Sequence, residues 1–553
     1  MNKIRVGLLI NEFDITHWQY KMIERIVSGN YAEIVLLVKR KGTEDNKITF
    51  LKEYTKKFKE GLFKTYLRAE NIFSKPEPDA FALKNITELV KSVDILEVNC
   101  TEKKFSDYLS DTDIEKIKGY KIDVFIRMGF RILRGEILKA AKYGVWSYHH
   151  GDNYVYRGGP AGYWEYFRRD REVGSLLQIL TEDLDGGEVL YRSWSSIDTS
   201  ARKTINNFFW KTSLFIPRKL KELQEIGEVS FFEKVKSENE NLNFYSGRNY
   251  TTPKNGELLK LIVPLLWKRV RRKLWKIFNF EQWILMYSFS NNSNHATSVY
   301  RYRRILPPKD RYWADPCVVY EDGKHYIFFE EVIYTKGKEK GHICVTQINK
   351  DGSFSDPVIV LMEPHHLSYP FLFKHQEQYY LIPESQENSA IQLYEAVNFP
   401  YEWKFKMNLM ENVRAVDTTI FFKDNRFWLF ANMPELNGVS SSEELFLFSR
   451  DDLFSGKWES HPCNPIVSDI KSSRPAGRIF YHGKKLYRPS QDCSFRYGYS
   501  TILNEIKILN EKEYLEEKIS AITPDWNNDV LGTHTYSSEN GLSVIDAIIK
   551  RRK

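Results

Sequence analysis

The sequence predicts a multidomain chain: an α/β, Rossmann-like half built on a mainly parallel sheet, then an all-β half arranged as a five-bladed propeller. Three observations carry this expectation. At 553 residues the chain exceeds one ordinary core, so two or three domains are expected. Through roughly the first two hundred residues, short apolar runs alternate with helical periodicity, the texture of βαβ units. From Arg311 onward, alternating aromatic strands broken by Asp-Gly and His-Gly turns recur behind five leader motifs spaced roughly fifty to sixty residues apart, the period of blades of about four strands.

Composition narrows the function classes. A hydrophobic fraction of 42% with 15% aromatic residues excludes a largely disordered chain. The net charge of +8 is modest and its Lys and Arg are interleaved with Asp and Glu, so nucleic-acid binding is not demanded, while anionic nucleotide-sugar or phospholipid partners are compatible. The five cysteines are scattered and lack metal-ligand spacing, so no metal site is expected and a reducing cytoplasm is the simplest compartment. The apolar run 6–10 is too short for a signal peptide or a membrane span. The turn after Ile10 lacks G-x-G-x-x-G, which leaves a dinucleotide site unsupported.

In order, residues 4–10 read as a buried strand, 18–27 as the returning helix and 32–39 as a second strand. Residues 40–79 form a lysine-rich insertion with a helix near 50–63. Strands over 93–99 and 122–128 flank a helix at 112–118; a helix over 135–142 then leads to a strand at 145–149. A helix at 160–169, a strand at 174–181 and a long helix at 200–226 complete a first domain over 1–227. In such sheets ligands sit at the carboxyl ends of strands, where His149 falls, and period-two alternation puts Ser147 on the same face. Asp183 and Asp185 stand just before Gly186-Gly187, so an imidazole and a carboxylate are offered together, the pairing a general base and its orienting partner need.

These residues resemble the folate-dependent formyltransferases, the group holding methionyl-tRNA formyltransferase and the sugar N-formyltransferases. The likeness rests on Ser147-x-His149, Arg157-Gly158 with Pro160, Leu184-Asp185-Gly186-Gly187, and the segment 123–130. It implies N10-formyltetrahydrofolate as co-substrate, held by backbone at Met128, Gly129, Phe130 and Arg131. It further implies His149 as proton acceptor, Asp185 as the group orienting His149 or a water, Ser147 as oxyanion donor and Arg157 on the substrate side. Two positions depart from the family: Ser147 replaces its asparagine and His150 its proline.

Residues 228–294 read as a linker, polar over 228–250 and then carrying a basic amphipathic helix over 257–280. That helix either docks between domains or lies on an anionic membrane surface; its apolar part is too short to span, and Pro264 interrupts it.

The propeller is expected over 295–553. Its leaders are Trp313-Ala314-Asp315-Pro316, Leu367-Ser368-Tyr369-Pro370, Ala415-Val416-Asp417-Thr418, Ser473-Arg474-Pro475-Ala476-Gly477 and Gly532-Thr533-His534-Thr535. The region resembles the furanosidase and fructosidase propellers and, more closely, the propeller of glucosamine inositolphosphorylceramide transferases. Asp315, Asp417, Arg474 and His534 are thereby expected near the axis with Tyr369. The likeness implies carbohydrate binding there, with Glu384 as a proton donor from another blade and Arg474, Arg478 and Arg488 as a clamp for phosphate or carboxylate.

The reading that joins the two halves is a cytoplasmic transferase, peripheral to the inner face of a membrane if 257–280 rests on it. It would move a formyl group to an amino sugar, nucleotide- or lipid-linked, in surface polysaccharide or glycolipid synthesis. Two rivals stand beside it: a carbohydrate-recognition protein with a formyltransferase-like scaffold, and a glycosidase acting through Asp315, Asp417 and Glu384.

Overall fold

The protein is described from a computed structural model covering residues 2–41, 60–103, 105–183, 186–290, 295–334 and 339–553. It divides into two compact units, 1–266 with 436–439, and 267–435 with 440–553.

The first unit is an α/β layer structure. Its elements are β1 (Ile4–Ile10), α1 (His17–Ser28), β2 (Ala32–Arg40), α2 (Gly61–Phe73), β3 (Asp94–Val98), α3 (Asp111–Lys118), β4 (Val124–Arg127), β5 (Val145–His149), α4 (Tyr163–Arg168), β6 (Glu172–Ile179), β7 (Glu188–Ser196), α5 (Ala201–Thr212) and α6 (Phe215–Glu238). The sheet runs β7-β6-β5-β4-β1-β2-β3. Five strands are parallel, while β6 and β7 close one edge as an antiparallel pair. Central strands carry near-continuous apolar runs because helices cover both faces. Alternation assigns each residue its side: Leu8 and Ile10 pack with Met22 and Ile23 of α1, while Leu9 and Phe125 pack with Ile114 and Ile117 of α3.

The structure departs from the sequence expectations in several places. The helix expected over 135–142 is a single 3-10 turn, Glu136–Lys139, bracketed by Gly135 and Gly144, both at positive φ. β7 lies in a stretch to which no element was assigned; it is held by pairing to β6 along its whole length. The helix over 200–226 is two, divided at 213–214, and the backbone breaks from helical geometry at Gly227 (φ 78°, ψ 167°), a kink beyond which a further helical segment runs to Glu238. Residues 228–238 are therefore helix rather than linker, because Phe231 and Val235, four apart, are buried in the core and Phe231 stacks on Trp146 at 6.1 Å. The insertion helix is α2, later than expected; positions 50–59 of that expectation lie outside the described residues.

The second unit is all β after the last turns of α7 (Asn255–Phe278). Four antiparallel four-stranded sheets follow in order over 311–361, 368–411, 416–460 and 480–522. A fifth joins Asn279–Phe289, Arg303–Ile305, Val530–Gly532 and Tyr536–Glu539 to Leu542–Arg552. Asn279–Phe289, inside the expected linker, is thus a strand that pairs residue for residue with Leu542–Arg552 and ties together the two ends of the unit. Its partner lies far away in sequence, so no local pattern announces the pairing.

The leaders have a common backbone. In the first three sheets the register slips once, between Ala314 and Cys317, Ser368 and Phe371, and Val416 and Thr419. Inside each bulge sits a residue at positive φ: Asp315 (52°), Tyr369 (40°) and Asp417 (49°). Aspartate tolerates this region better than most residues, whereas a tyrosine there is strained by about 1 kcal/mol or more and must be held by its surroundings. Ahead of the fourth sheet the leader has its positive φ at Gly477 (131°), and Arg474, three positions upstream, is not at positive φ.

Candidate functional site

In the first unit β4 and β5 lie side by side with Arg127 opposite Ser147. Ser147 is buried, and its Oγ accepts from Arg127 Nη1 at 3.2 Å. Arg127 also donates from Nε and Nη2 to the Arg131 carbonyl and from Nη2 to that of Phe130. No carboxylate among the described residues pairs with it; burial pulls its pKa down, and the more distant Asp107 offsets part of this. A guanidinium has five N–H groups, so one Nη1 hydrogen is left beside Ser147.

His149 ends β5 half-buried, with Nε2 3.4 Å from the Tyr156 carbonyl oxygen. Its neighbour His150 is a core residue, stacked on Phe209 at 3.8 Å and set against Trp18, and burial pushes its pKa down to about 3. His150 therefore stays neutral and is no substitute base. Asp185 lies outside the described residues, so its distance from His149 is not part of this geometry. Arg157 donates to the Asn153 carbonyl at 3.0 Å and lies over the Tyr245 ring. The neighbouring Gly158 (φ 97°) is required, since a Cβ there would sit 2.1 Å from the Tyr250 carbonyl oxygen.

The loop expected to hold folate commits its amides internally. Met128 and Gly129 donate to the Leu9 carbonyl, Phe130 to Asn11 Oδ1 at 2.8 Å and Arg131 to Asp107 Oδ2 at 2.9 Å. None of these four N–H groups is left for a ligand, so the loop does not fit the role of a backbone clamp for N10-formyltetrahydrofolate. A cavity of about 450 Å³ opens nearby, lined by Asp152, Tyr156, Glu165, Asp170, Trp194 and Tyr245 among others. Glu165 is buried at its wall, and burial pushes its carboxyl up to about 7. Sequence reasoning missed Arg127 and Glu165, although an arginine ending an apolar strand and a glutamate among aromatic helix residues are both visible exceptions to pattern.

In the second unit the leaders bond to one another across sheets. Asp315 Oδ2 accepts from the Tyr369 amide and Oδ1 from Thr535 Oγ1; Tyr369 Oη meets Thr419 Oγ1 at 2.9 Å and accepts from the Gly477 amide at 2.8 Å. His534 lies between two acids, its Nδ1 2.5 Å from Asp546 and its Nε2 3.5 Å from Asp315, with Trp283 stacked on it. Burial opposes its charge, but Asp546 and then Asp315 carry its pKa up to about 9. Asp315, His534 and Asp546 also have the spacing of a cation site, and burial pushes the Asp315 carboxyl up to about 7.

Arg474 joins Asp417, at 2.5 Å from Nε, to Glu384, at 3.3 Å from Nη2, and Gln491 donates to Asp417 at 2.8 Å. Glu384 is pushed well up, first by burial and then by Asp417. Tyr497, exposed along its ring, lies 5.0 Å over the Arg474 guanidinium. The structure thus brings Glu384, Asp417 and Arg474 together, but not the other two arginines. Arg478 pairs with Glu539 at 2.7 Å, and buried Arg488 forms a two-pronged pair with Glu516 at 2.6 and 2.7 Å. Tyr497 and Gln491 were missed, since neither stands in a leader.

Comparisons with known proteins fall on both halves of this description. Residues 307–530 match the family described as glucosamine inositolphosphorylceramide transferase 1, N-terminal. Glucosamine inositolphosphorylceramide transferase 1 of Oryza sativa subsp. indica is 34% identical over 211 residues, 37% of this chain and 28% of that protein. The chain thus spans little more than a quarter of that relative's length. Methionyl-tRNA formyltransferase of Prochlorococcus marinus (strain AS9601) is 25% identical over 126 residues, 23% of this chain and 38% of that protein. Among solved structures, Zg3597, a family 117 glycoside hydrolase produced by the marine bacterium Zobellia galactanivorans, aligns with 48% of this chain and 90% of its own at 12% identity and a TM-score of 0.32, too loose a superposition to bear on chemistry. The chain is therefore similar to the amino-terminal part of glucosamine inositolphosphorylceramide transferases over 307–530 and, more distantly, to methionyl-tRNA formyltransferases.

Proposed function

We propose that the protein is a transferase of glycolipid or polysaccharide assembly whose first unit passes a formyl group to the amine of an amino sugar, while the second unit holds the glycan. The observation that carries the reading is the pairing, at the carboxyl ends of β4 and β5, of the Ser147 hydroxyl with a largely buried Arg127 that has no acidic partner among the described residues, two residues before His149 ends β5. The likenesses to a formyltransferase and to a transferase named for glucosamine support it from two sides.

In this reading the acceptor amine attacks the formyl carbon, a C–N bond forms and the carbonyl π pair moves to oxygen. His149 takes the amine proton. The oxyanion is met by the remaining Nη1 hydrogen and charge of Arg127, an arrangement worth far more in a desolvated site than in water. Ser147 accepts from Arg127 and donates to the Tyr148 carbonyl at 3.4 Å, so it aims the guanidinium. Collapse of the adduct then re-forms the carbonyl and breaks the bond to the donor's nitrogen, which leaves with the proton returned from His149. The acceptor is assigned to the 450 Å³ cavity, whose aromatic faces and acids suit an amino sugar and which shares Tyr156 with His149. N10-formyltetrahydrofolate enters only as the donor substrate to be tried, and no residue is assigned to hold it.

For the second unit the same reading makes the five sheets blades of one closed propeller, with the glycan at Glu384, Arg474 and Tyr497. Hydrolysis there has less support, because both oxygens of Asp417 are taken by Arg474 and Gln491 and both of Asp315 by Tyr369 and Thr535. The test is to incubate the purified protein with N10-formyltetrahydrofolate and a panel of amine-bearing sugars, reading products by mass. Gain of one formyl group, lost in His149→Ala, is expected. No formylated product from any sugar, with glycan binding retained, would leave recognition as the function.

A further inference from the structure

Helix α7 presents an apolar stripe to solvent instead of to a core. In its second-unit half, Trp267, Val270, Leu274, Ile277 and Phe278 recur at spacings of three and four, so they share one face, and each is between 46% and 73% exposed. Leu259, Val263 and Leu266 extend the same row toward the start of the helix and are also exposed. Uncovered apolar area of this extent is uncommon on a soluble surface. Apart from Trp275, the rest of the 267–278 turns is basic: Lys268, Arg269, Arg271, Arg272, Lys273 and Lys276, with no acidic residue among them. Arg272 lies 3.7 Å from Glu281, and the Lys268 ammonium 6.0 Å from the Phe495 ring. No described helix is long and apolar enough to cross a membrane.

We propose that α7 is an interfacial membrane helix, which lies in the plane of an anionic lipid surface with the Trp267–Phe278 stripe among the acyl chains and its basic residues at the headgroups. The charge decides the occupant. A second copy would bring six more cations against these, and a protein partner would have to be strongly acidic around an apolar groove, whereas an anionic bilayer supplies negative charge to each of them and accepts tryptophan and phenylalanine at its interface. Long basic side chains also reach outward from the edges of such a helix while their stems stay apolar. The proposal is independent of the transfer chemistry, since none of these residues belongs to either site described above.

The experiment is co-flotation of the full-length protein with vesicles of phosphatidylcholine alone and of phosphatidylcholine mixed with phosphatidylglycerol. Binding is expected to the mixed vesicles, much weaker to neutral ones, and reversed by high salt. Two variants separate the forces: Trp267→Ser with Leu274→Ser and Phe278→Ser removes the stripe, and Arg271→Gln with Lys273→Gln and Lys276→Gln removes half the charge. Each is expected to lower partitioning by roughly tenfold or more, with an unchanged far-ultraviolet spectrum because the altered side chains are exposed. Failure of the wild type to float with anionic vesicles overturns the proposal. So does self-association in sedimentation that the stripe variant abolishes, because a second copy would then be what covers the face.

Discussion

Each unit sets an arginine among polar groups at strand ends, yet the two arginines are in opposite circumstances. Arg474 has Asp417 and Glu384 within ion-pair reach and a tyrosine ring over it. Arg127 has carbonyls and one hydroxyl, and no carboxylate among the described residues. A buried cation whose counter-ions are built in is already stabilised and has little left to offer a changing charge. One that lacks them is costly in the resting protein and strongly attractive to negative charge arriving with a ligand or developing during reaction. Under the proposed function, the contrast corresponds to chemistry in the first unit and recognition in the second.

Several changes break or sharpen that contrast. The largest effect is expected for His149→Ala, which should lower formyl transfer by roughly a hundredfold to ten-thousandfold while leaving the melting of both units unchanged. Turnover and calorimetry on one preparation check it, and equal loss in both readouts would mean that His149 is structural. Next comes Arg474→Leu, which strands two buried acids and should destabilise the second unit by about 3–5 kcal/mol in denaturant titration. A cost below roughly 1 kcal/mol, typical of an exposed pair, would show that the axis is more open than its contacts imply.

Arg127→Met should reverse this pattern. Removing a charge with no partner spares or raises stability, while turnover at saturating substrates falls on the order of a hundredfold and acceptor affinity changes little. The smallest expected effect is on pH dependence. The His534 pKa is raised in the folded protein to about 9, so its contribution is complete below about 6.5 and is lost as pH rises through 9. The groups facing it are Asp315, Asp546, Trp283 and Tyr497. Melting of the second unit should therefore fall between neutral and alkaline pH by about 2 kcal/mol, and His534→Gln should flatten that slope.

The same contrast explains what could be read from the chain before its structure. Strands such as β1, β4 and β5 were legible because burial on both faces forces continuous apolar runs, and the leaders because they stand at a regular spacing, two of them with an aspartate in a bulge at positive φ. Non-local features were not. The eleven-residue pairing of Asn279–Phe289 with Leu542–Arg552 joins segments that share no local signal. The helical segment beyond the Gly227 kink forms because Phe231 and Val235 find a core that the polar residues between them conceal. Arg474 looked like a leader because it stands where the repeat places one, yet the positive φ of that leader is at Gly477. Arg127 was passed over as the end of a strand; its significance is an absent acid, which no motif records.

The most direct measurement is single-turnover transfer at saturating formyl donor and amino-sugar acceptor, comparing wild type, Arg127→Lys and Arg474→Lys. The contrast predicts product from the wild type and a rate constant lowered on the order of a hundredfold by Arg127→Lys, because an ammonium cannot hold the Ser147 and carbonyl contacts while donating to an oxyanion. It predicts an unchanged rate constant with weakened glycan binding for Arg474→Lys. The opposite assignment, with Arg474→Lys abolishing the chemical step and Arg127→Lys leaving it intact, would contradict it.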